Sequence, residues 1–328
     1  RGQLSLPHAS PGSARGETRV GALTAAAGGA GRYAERGWPA FEQAVSHMAT
    51  PGAQLLDLGC LDGRCGAWPR TAEVCRARRR PPLVPETFAR ELRRKAFSNA
   101  ADQGLLLAGY REAFEALVGC TERLQCCGLG WGDGEAHKLA EALPRCGRLL
   151  ELGLRENRIG AEGAARLAAA LPHCPRLEAL DLGSNVVGDS GAERLAEALP
   201  RCPALRSLDL SRNAIGDDGV ARLAAALPLC GPLRSLLLGG NDVGDHGAGR
   251  LAAALPDSAA LRALDLSENE IGRGGAERLT SVASRSSRVR QLDLARNRTG
   301  DAAAEHLSTG FRASAGCRRE KKKKKKKK

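Results

Sequence analysis

Aromatic residues make up only 3% of this 328-residue chain, so it lacks the stacking platforms on which single-stranded nucleic acid is usually bound. Long apolar runs are missing too, which excludes a membrane-spanning helix from the sequence given. Histidine is sparse: His8, His47, His137, His173, His246 and His306 are scattered, and none stands at metal-ligand or nucleophile–base spacing. No C-x-x-C pair has a second one at zinc spacing, and Cys126 and Cys127 are adjacent. Lysine is nearly absent from the body of the chain, where only Lys95 and Lys138 precede the terminal run Lys321–Lys328, while arginine is abundant. These gaps leave no catalytic constellation, no metal centre and no cofactor to expect.

What is present is a period. From Leu149, blocks of 28 residues open at Leu177, Leu205, Leu233, Leu261 and Val289 without a gap. Each block reads L-x-x-L-x-L and then reaches an asparagine, giving the column Asn157, Asn185, Asn213, Asn241, Asn269 and Asn297. The alternating leucines predict a short strand with one buried face. The asparagine amide, with two donors and an acceptor, is suited to satisfy backbone groups at a tight corner. An aliphatic–glycine pair follows (Ile159-Gly160 to Ile271-Gly272), with glycine expected to permit a backbone that a side chain forbids. A helix comes next, as in Asp189 to Leu199, with an Asp or Ser as its N-terminal cap and a proline just past its end. A fixed period of this length predicts a solenoid in which stacked neighbours share one core.

The form L-x-x-L-x-L-x-x-N-x-[IV]-G-x-x-G-A-x-x-L-A-x-A-L-P resembles the ribonuclease-inhibitor-like class of leucine-rich repeats. A poorer copy starts at Thr121, with Leu129 in the asparagine position, and the last copy has Thr299 and Ala303 at the corner. The expected fold is α/β: a right-handed leucine-rich-repeat arc of about seven repeats over 121–316, with a parallel inner sheet and outer helices. The resemblance implies a protein-interaction scaffold, as in the repeat regions of NOD-like receptors. The alternative it offers is a small-GTPase regulator like the Ran GTPase-activating protein, although only scaffold positions match and no functional residue carries over.

The formal charge of +13 suggests an anionic partner. Residues 121–316, however, hold 24 basic and 25 acidic residues, so the excess lies outside the repeats. Eight of the outlying positive charges are Lys321–Lys328, within a basic tail at 317–328. That run reads first as a poly(A) tract translated as codons, and alternatively as a tag for weak contact with an anionic surface. The chain begins at Arg1 and contains only Met48, so a missing N-terminus is expected. Residues 1–50 read as a disordered Gly/Ala/Arg-rich segment and 51–85 as irregular. Residues 86–120 read as a helical cap, with Tyr110, Phe114 and Leu117 on one face. Cys146, Cys174, Cys202 and Cys230 recur in one column that later holds Ser258 and Ser286, which favours small, buried, reduced side chains over a disulfide framework. A cytoplasmic location follows, with the nucleus as the alternative.

Residues 54–63 resemble the nucleotide loop of S-adenosylmethionine-dependent methyltransferases, with Asp57, Gly59 and Gly63 in place but Leu61 for the middle glycine. A remnant of such a domain fused to repeats is the least favoured function. The better candidate lies on the strands. The residue between the second and third strand leucines faces outward, giving Gln125, Gly153, Asp181, Asp209, Leu237, Asp265 and Asp293, one per rung about 5 Å apart. Like charges that close cost stability, which a purely structural role does not explain well; the alternative is that strand ends tolerate a short polar residue and solvent screens the charge. With Glu156 and Glu268 at the strand ends they form an acidic groove for a protein partner bearing a basic segment. Arg155, Arg212 and Arg296 interrupt it and are expected to set register by repulsion.

Overall fold

The computed structural model describes residues 37–49, 80–97, 99 and 101–299. Seven three-residue strands stand side by side in chain order: β1 Arg123–Gln125, β2 Glu151–Gly153, β3 Ala179–Asp181, β4 Ser207–Asp209, β5 Ser235–Leu237, β6 Ala263–Asp265 and β7 Gln291–Asp293. Every pairing is parallel and joins residues 28 apart, as in Leu152 opposite Leu180 and Leu180 opposite Leu208. The strands alternate with α4 Asp133–Ala142, α5 Ala161–Ala170, α6 Gly188–Ala198, α7 Asp217–Ala226, α8 Asp245–Ala254 and α9 Arg273–Arg285. This is the seven-rung solenoid that the period calls for. The helix position of the seventh repeat falls outside the described residues.

Strand and helix form where they do because their apolar positions converge. The strand leucines Leu180, Leu208 and Leu236 and the helix leucines Leu195, Leu223 and Leu251 are all almost fully buried. Alanines such as Ala164, Ala192 and Ala248 let neighbouring helices approach closely. The proline after each of four helices sits in a single 3-10 turn, for example Leu199–Arg201, which ends the helix and turns the chain back toward the sheet. Cys146, Cys174, Cys202 and Cys230 lie at this return as free, buried thiols. Three of them donate to the carbonyl four residues earlier, as Cys230 does to Ala226 O at 3.0 Å. Ser258, equally buried, takes over the position one rung later.

Ahead of β1 come α1 Gly37–Ala49, α2 Pro85–Leu92 and α3 Ala101–Gly119. The sequence reading placed 37–49 in an unstructured segment. It is a helix because Phe41, Ala44, Val45 and Met48 recur at helical spacing and pack against the core. The buried face of α3 is Leu106, Tyr110, Phe114 and Val118, one residue off the predicted Leu117, because a straight i, i+4 row faces the core. Tyr110 stacks on Phe88 with ring centroids 3.9 Å apart and donates to Leu83 O at 2.8 Å. Thr87 donates to Glu141 at 3.0 Å and Arg145 pairs with Glu115 at 3.2 Å, tying these helices to the first repeat. The methyltransferase-like stretch 54–63 and the lysine tail lie outside the described residues.

The corners correct two expectations. The corner glycines Gly160, Gly216, Gly244 and Gly272 have φ of −94°, −95°, −100° and −83°, which any residue adopts. The aspartate at each helix start does not cap its own helix. Instead Asp133 Oδ1 accepts from Gly160 N–H (2.7 Å) and Gly163 N–H (3.0 Å) of the next repeat. Asp189, Asp217 and Asp245 repeat the arrangement on Gly216/Gly219, Gly244/Gly247 and Gly272/Gly275. Glycine is required because this carboxylate sits where a side chain would be: a Cβ on Gly163 would lie 2.5 Å from Asp133 Oδ1. A helix N-terminus with free N–H groups and a positive dipole end gains from such a charge.

Two interior rungs lack it, and one of them, with Arg273 at the position, precedes a helix start outside the described residues. In the other, Ala161 occupies the aspartate position, and the corner it should serve differs: Gly188 N–H donates to Asn213 O at 3.0 Å, Gly188 takes φ +60° and Ala214 φ +52°. An alanine in the left-handed region is strained. Ala161→Asp is expected to return Gly188 N–H to a carboxylate and raise the unfolding free energy by about 1 kcal/mol. An unchanged urea midpoint would show that the corner adopts this form for another reason.

Candidate functional site

The concave wall is built from the outward positions of the strands and the residues that follow them. Its floor is narrow-chained: Ala179, Ser207, Ser235 and Ala263 on one side of the aspartate column, Gly183, Ser211, Gly239 and Ser267 on the other. Between them stand Asp181, Asp209, Leu237, Asp265 and Asp293, all half-buried. The backbone N–H of the residue two further on donates to each aspartate: Gly183 and Ser211 to Asp181 and Asp209 at 2.8 Å, Ser267 to Asp265 at 2.8 Å and Ala295 to Asp293 at 2.9 Å. The column therefore has a local structural reason, in keeping with the reading that strand ends take a short polar residue. An Asx-type turn needs a short side-chain acceptor at the point where the strand stops.

Burial pushes the Asp181 carboxyl above its ordinary range; the Gly183 N–H opposes this, Asp209 adds to it, Arg155 opposes it and Glu156 adds. The three arginines are ion-paired within the chain. Arg155 spans two rungs to reach Asp209 at 3.4 Å and touches Glu156 at 3.6 Å, passing over Gly183, where a Cβ would be 2.7 Å from its Nη1. Arg212 likewise reaches over Gly240 to Glu268 at 3.0 Å, and Arg296 holds the same carboxylate from the other side. The wall thus carries two charge clusters, Arg155 with Asp181, Asp209 and Glu156, and Glu268 clamped between Arg212 and Arg296. Glu156 remains exposed.

Beneath the wall the asparagine column closes the corners. Asn185 Nδ2 donates to Leu182 O (2.9 Å) and to Leu154 O one rung back (3.0 Å), while its Oδ1 accepts from Ile159 N–H (2.9 Å). Asn157, Asn213, Asn241, Asn269 and Asn297 make the corresponding bonds. The residue before the asparagine position (Leu129 in the first rung) is left-handed in every rung; glycine fills it at Gly128 and Gly240, but Glu156, Ser184, Arg212, Glu268 and Arg296 accept φ of 55–59°. This geometry aims the side chains of Glu156, Arg212, Glu268 and Arg296 along the rim of the wall. Sequence reasoning missed it, since only two of seven positions carry the glycine signal.

It also missed a second charged column. Arg206, Arg234, Arg262 and Arg290 immediately precede four consecutive strands, and all four are exposed. Identical residues at the 28-residue period were the available signal. No group of histidine, cysteine or carboxylate side chains that could hold a metal occurs among the described residues. Within them no helix is long and apolar enough to cross a membrane.

The period, the parallel sheet and the buried leucine columns define a leucine-rich-repeat solenoid. A family model described as "Leucine Rich repeat" matches residues 173–196, 201–224 and 258–279. No curated protein matches the chain. A solved structure titled as actin-binding site 2 of leiomodin-1 is similar at 12% identity over 45% of this chain and 84% of that one, with a TM-score of 0.38. That likeness is too loose to bear on what this chain binds, and neither match concerns a GTPase.

Proposed function

We propose that this chain is a protein-interaction scaffold that receives a basic segment of a partner protein on its concave wall. The observation that supports this is the aspartate column itself: four half-buried carboxylates, each held in one orientation by a backbone N–H, bordered by side chains small enough to admit a partner's backbone. Carboxylates fixed in advance lose little entropy on pairing with arginine or lysine. Arg155, Arg212 and Arg296 already neutralise part of the wall, so a partner must exchange with these pairs. That exchange favours a segment whose positive charges match the rung spacing. A reducing compartment, cytoplasmic or nuclear, belongs to the same proposal, supported by the column of buried free thiols. The GTPase-regulator alternative has no residue in this wall to carry it.

Changing Asp181, Asp209, Asp265 and Asp293 together to Asn is the test. The amide oxygen still accepts the N–H two residues on, so stability should hold or rise slightly as the repulsion between Asp181 and Asp209 is relieved. Association with a basic peptide or a crosslinked partner should slow and lose most of its salt dependence. An unchanged association rate at low salt would remove the wall from consideration.

A further inference from the structure

We infer that the column Arg206, Arg234, Arg262 and Arg290 is a second docking surface, separate from the aspartate wall, and that it takes an acidic face of a partner α-helix. The spacing of the column is imposed by the backbone. Arg234 N–H donates to Arg206 O, Arg262 N–H to Arg234 O and Arg290 N–H to Arg262 O, each at 2.8 Å. The four side chains therefore leave the edge of the sheet at successive rungs, about 4.8 Å apart, and span about 14 Å. Only Arg206 has an acidic partner, Glu178 at 2.8 Å. Among the described residues Arg234, Arg262 and Arg290 form no ion pair, although the neighbouring arginines of the wall, Arg155, Arg212 and Arg296, all do. The positions on either side are neutral or basic: Ser207, Ser235, Ala263 and Gln291 along the strands, Ala204, Pro232, Ala260 and Arg288 before them. Beyond Glu178 at the Arg206 end, none of these positions supplies a carboxylate to screen Arg234, Arg262 and Arg290.

The rung spacing selects the shape of the partner. Acidic residues at i, i+3, i+7 and i+10 of a helix lie on one face at about 0, 4.5, 10.5 and 15 Å along its axis, in step with all four guanidiniums. An extended strand presents same-side residues about 6.8 Å apart and drifts out of step by the third rung. A polyphosphate backbone meets the carboxylates of Asp209, Asp265 and Asp293, which stand three residues further along the same strands, about 10 Å away. A helix about 10 Å wide fits beside them without contact.

The test uses the full chain and a fluorescent, stapled helical peptide of about 14 residues with glutamates at i, i+3, i+7 and i+10. A second peptide has the same composition with its glutamates spread around the helix. The wild-type chain should bind the aligned peptide about tenfold more tightly than the spread one. The variant R234A/R262A/R290A should lose that preference at an unchanged thermal midpoint. If that variant is destabilised, Arg262→Glu alone should weaken the aligned peptide more than the spread one. Deleting Lys321–Lys328 in both backgrounds should leave the preference intact, which separates the column from the lysine tail. Equal binding of the two peptides, a preference that survives in the triple variant, or tighter binding of an oligothymidylate that the triple variant loses would each overturn the inference.

Discussion

Asn213→Leu is expected to destabilise the protein by about 3 kcal/mol and Asn297→Leu by about 1 kcal/mol. Asn213 is fully buried. Its Nδ2 donates to Leu182 O at 2.9 Å and Ser211 O at 3.1 Å, and its Oδ1 accepts from Val187 N–H at 3.2 Å. Leucine leaves the two carbonyls with other donors, since Asn185 Nδ2 also reaches Leu182 O and Ser184 N–H reaches Ser211 O. The Val187 N–H has no replacement, and Val187 is itself inaccessible to solvent. A buried donor without a partner is the main cost. Asn297 makes the same bonds, to Leu266 O at 2.7 Å and from Ile271 N–H at 3.0 Å; Ile271 is as buried as Val187, but Asn297 itself is half-exposed, so water can reach the position its amide leaves. Urea titration of both variants decides the matter. Equal losses at the two positions would mean that the asparagine column is not what holds the corners.

A loss of similar size is expected at alkaline pH. Burial pushes the thiols of Cys146 and Cys230 up to about 12, and those of Cys174 and Cys202 up to about 11, from an ordinary value of 9.0. The unfolded chain therefore releases these protons first. Stability from the column is fully present below about pH 9 and is lost as pH rises through 11 to 12. At pH 10 the four thiols together should cost about 5 kcal/mol. Buried Tyr110, whose hydroxyl burial also pushes upward, adds to the slope. Replacing all four cysteines by Ser, as Ser258 already does in the fifth rung, should remove the thiol share and leave the tyrosine share. If the wild-type and four-serine chains fall in parallel between pH 8 and 10.5 in guanidinium titrations, the thiols do not carry the effect.

Much of this architecture is legible in the sequence because each signal is local to one 28-residue block. Leu180 and Leu182 announce a strand, Leu195 and Leu199 a helix, and Pro200 its end. What escapes is whatever one block does for the next. Asp189 stands at the start of its own helix and reads as that helix's cap, yet its hydrogen bonds go to Gly216 and Gly219. Nothing within residues 189–199 indicates this. The left-handed column escapes for another reason: Arg212 and Glu268 occupy backbone angles normally reserved for glycine, and composition conceals it. At the candidate site the aspartate column was legible by its period. The ion pairs of the wall were not, because Arg155 reaches Asp209 and Arg212 reaches Glu268 across two rungs, a distance fixed by curvature and side-chain length rather than by spacing in sequence.

The aspartate that serves the following rung also says how this protein can grow or shrink. Since four helix starts are completed by an aspartate 27 and 30 positions earlier, the blocks that hold them are not self-contained modules with natural ends. What is conserved along the array is a frame, not a part. Copying any 28 consecutive residues of the interior, wherever the copy begins, hands each glycine pair a carboxylate again, whereas copying 27 or 29 strands one. A copy that includes Ala161 or Arg273 would be the exception, duplicating a position without the carboxylate along with the repeat. Lengthening such a chain is therefore indifferent to where it is cut and intolerant of how much is inserted.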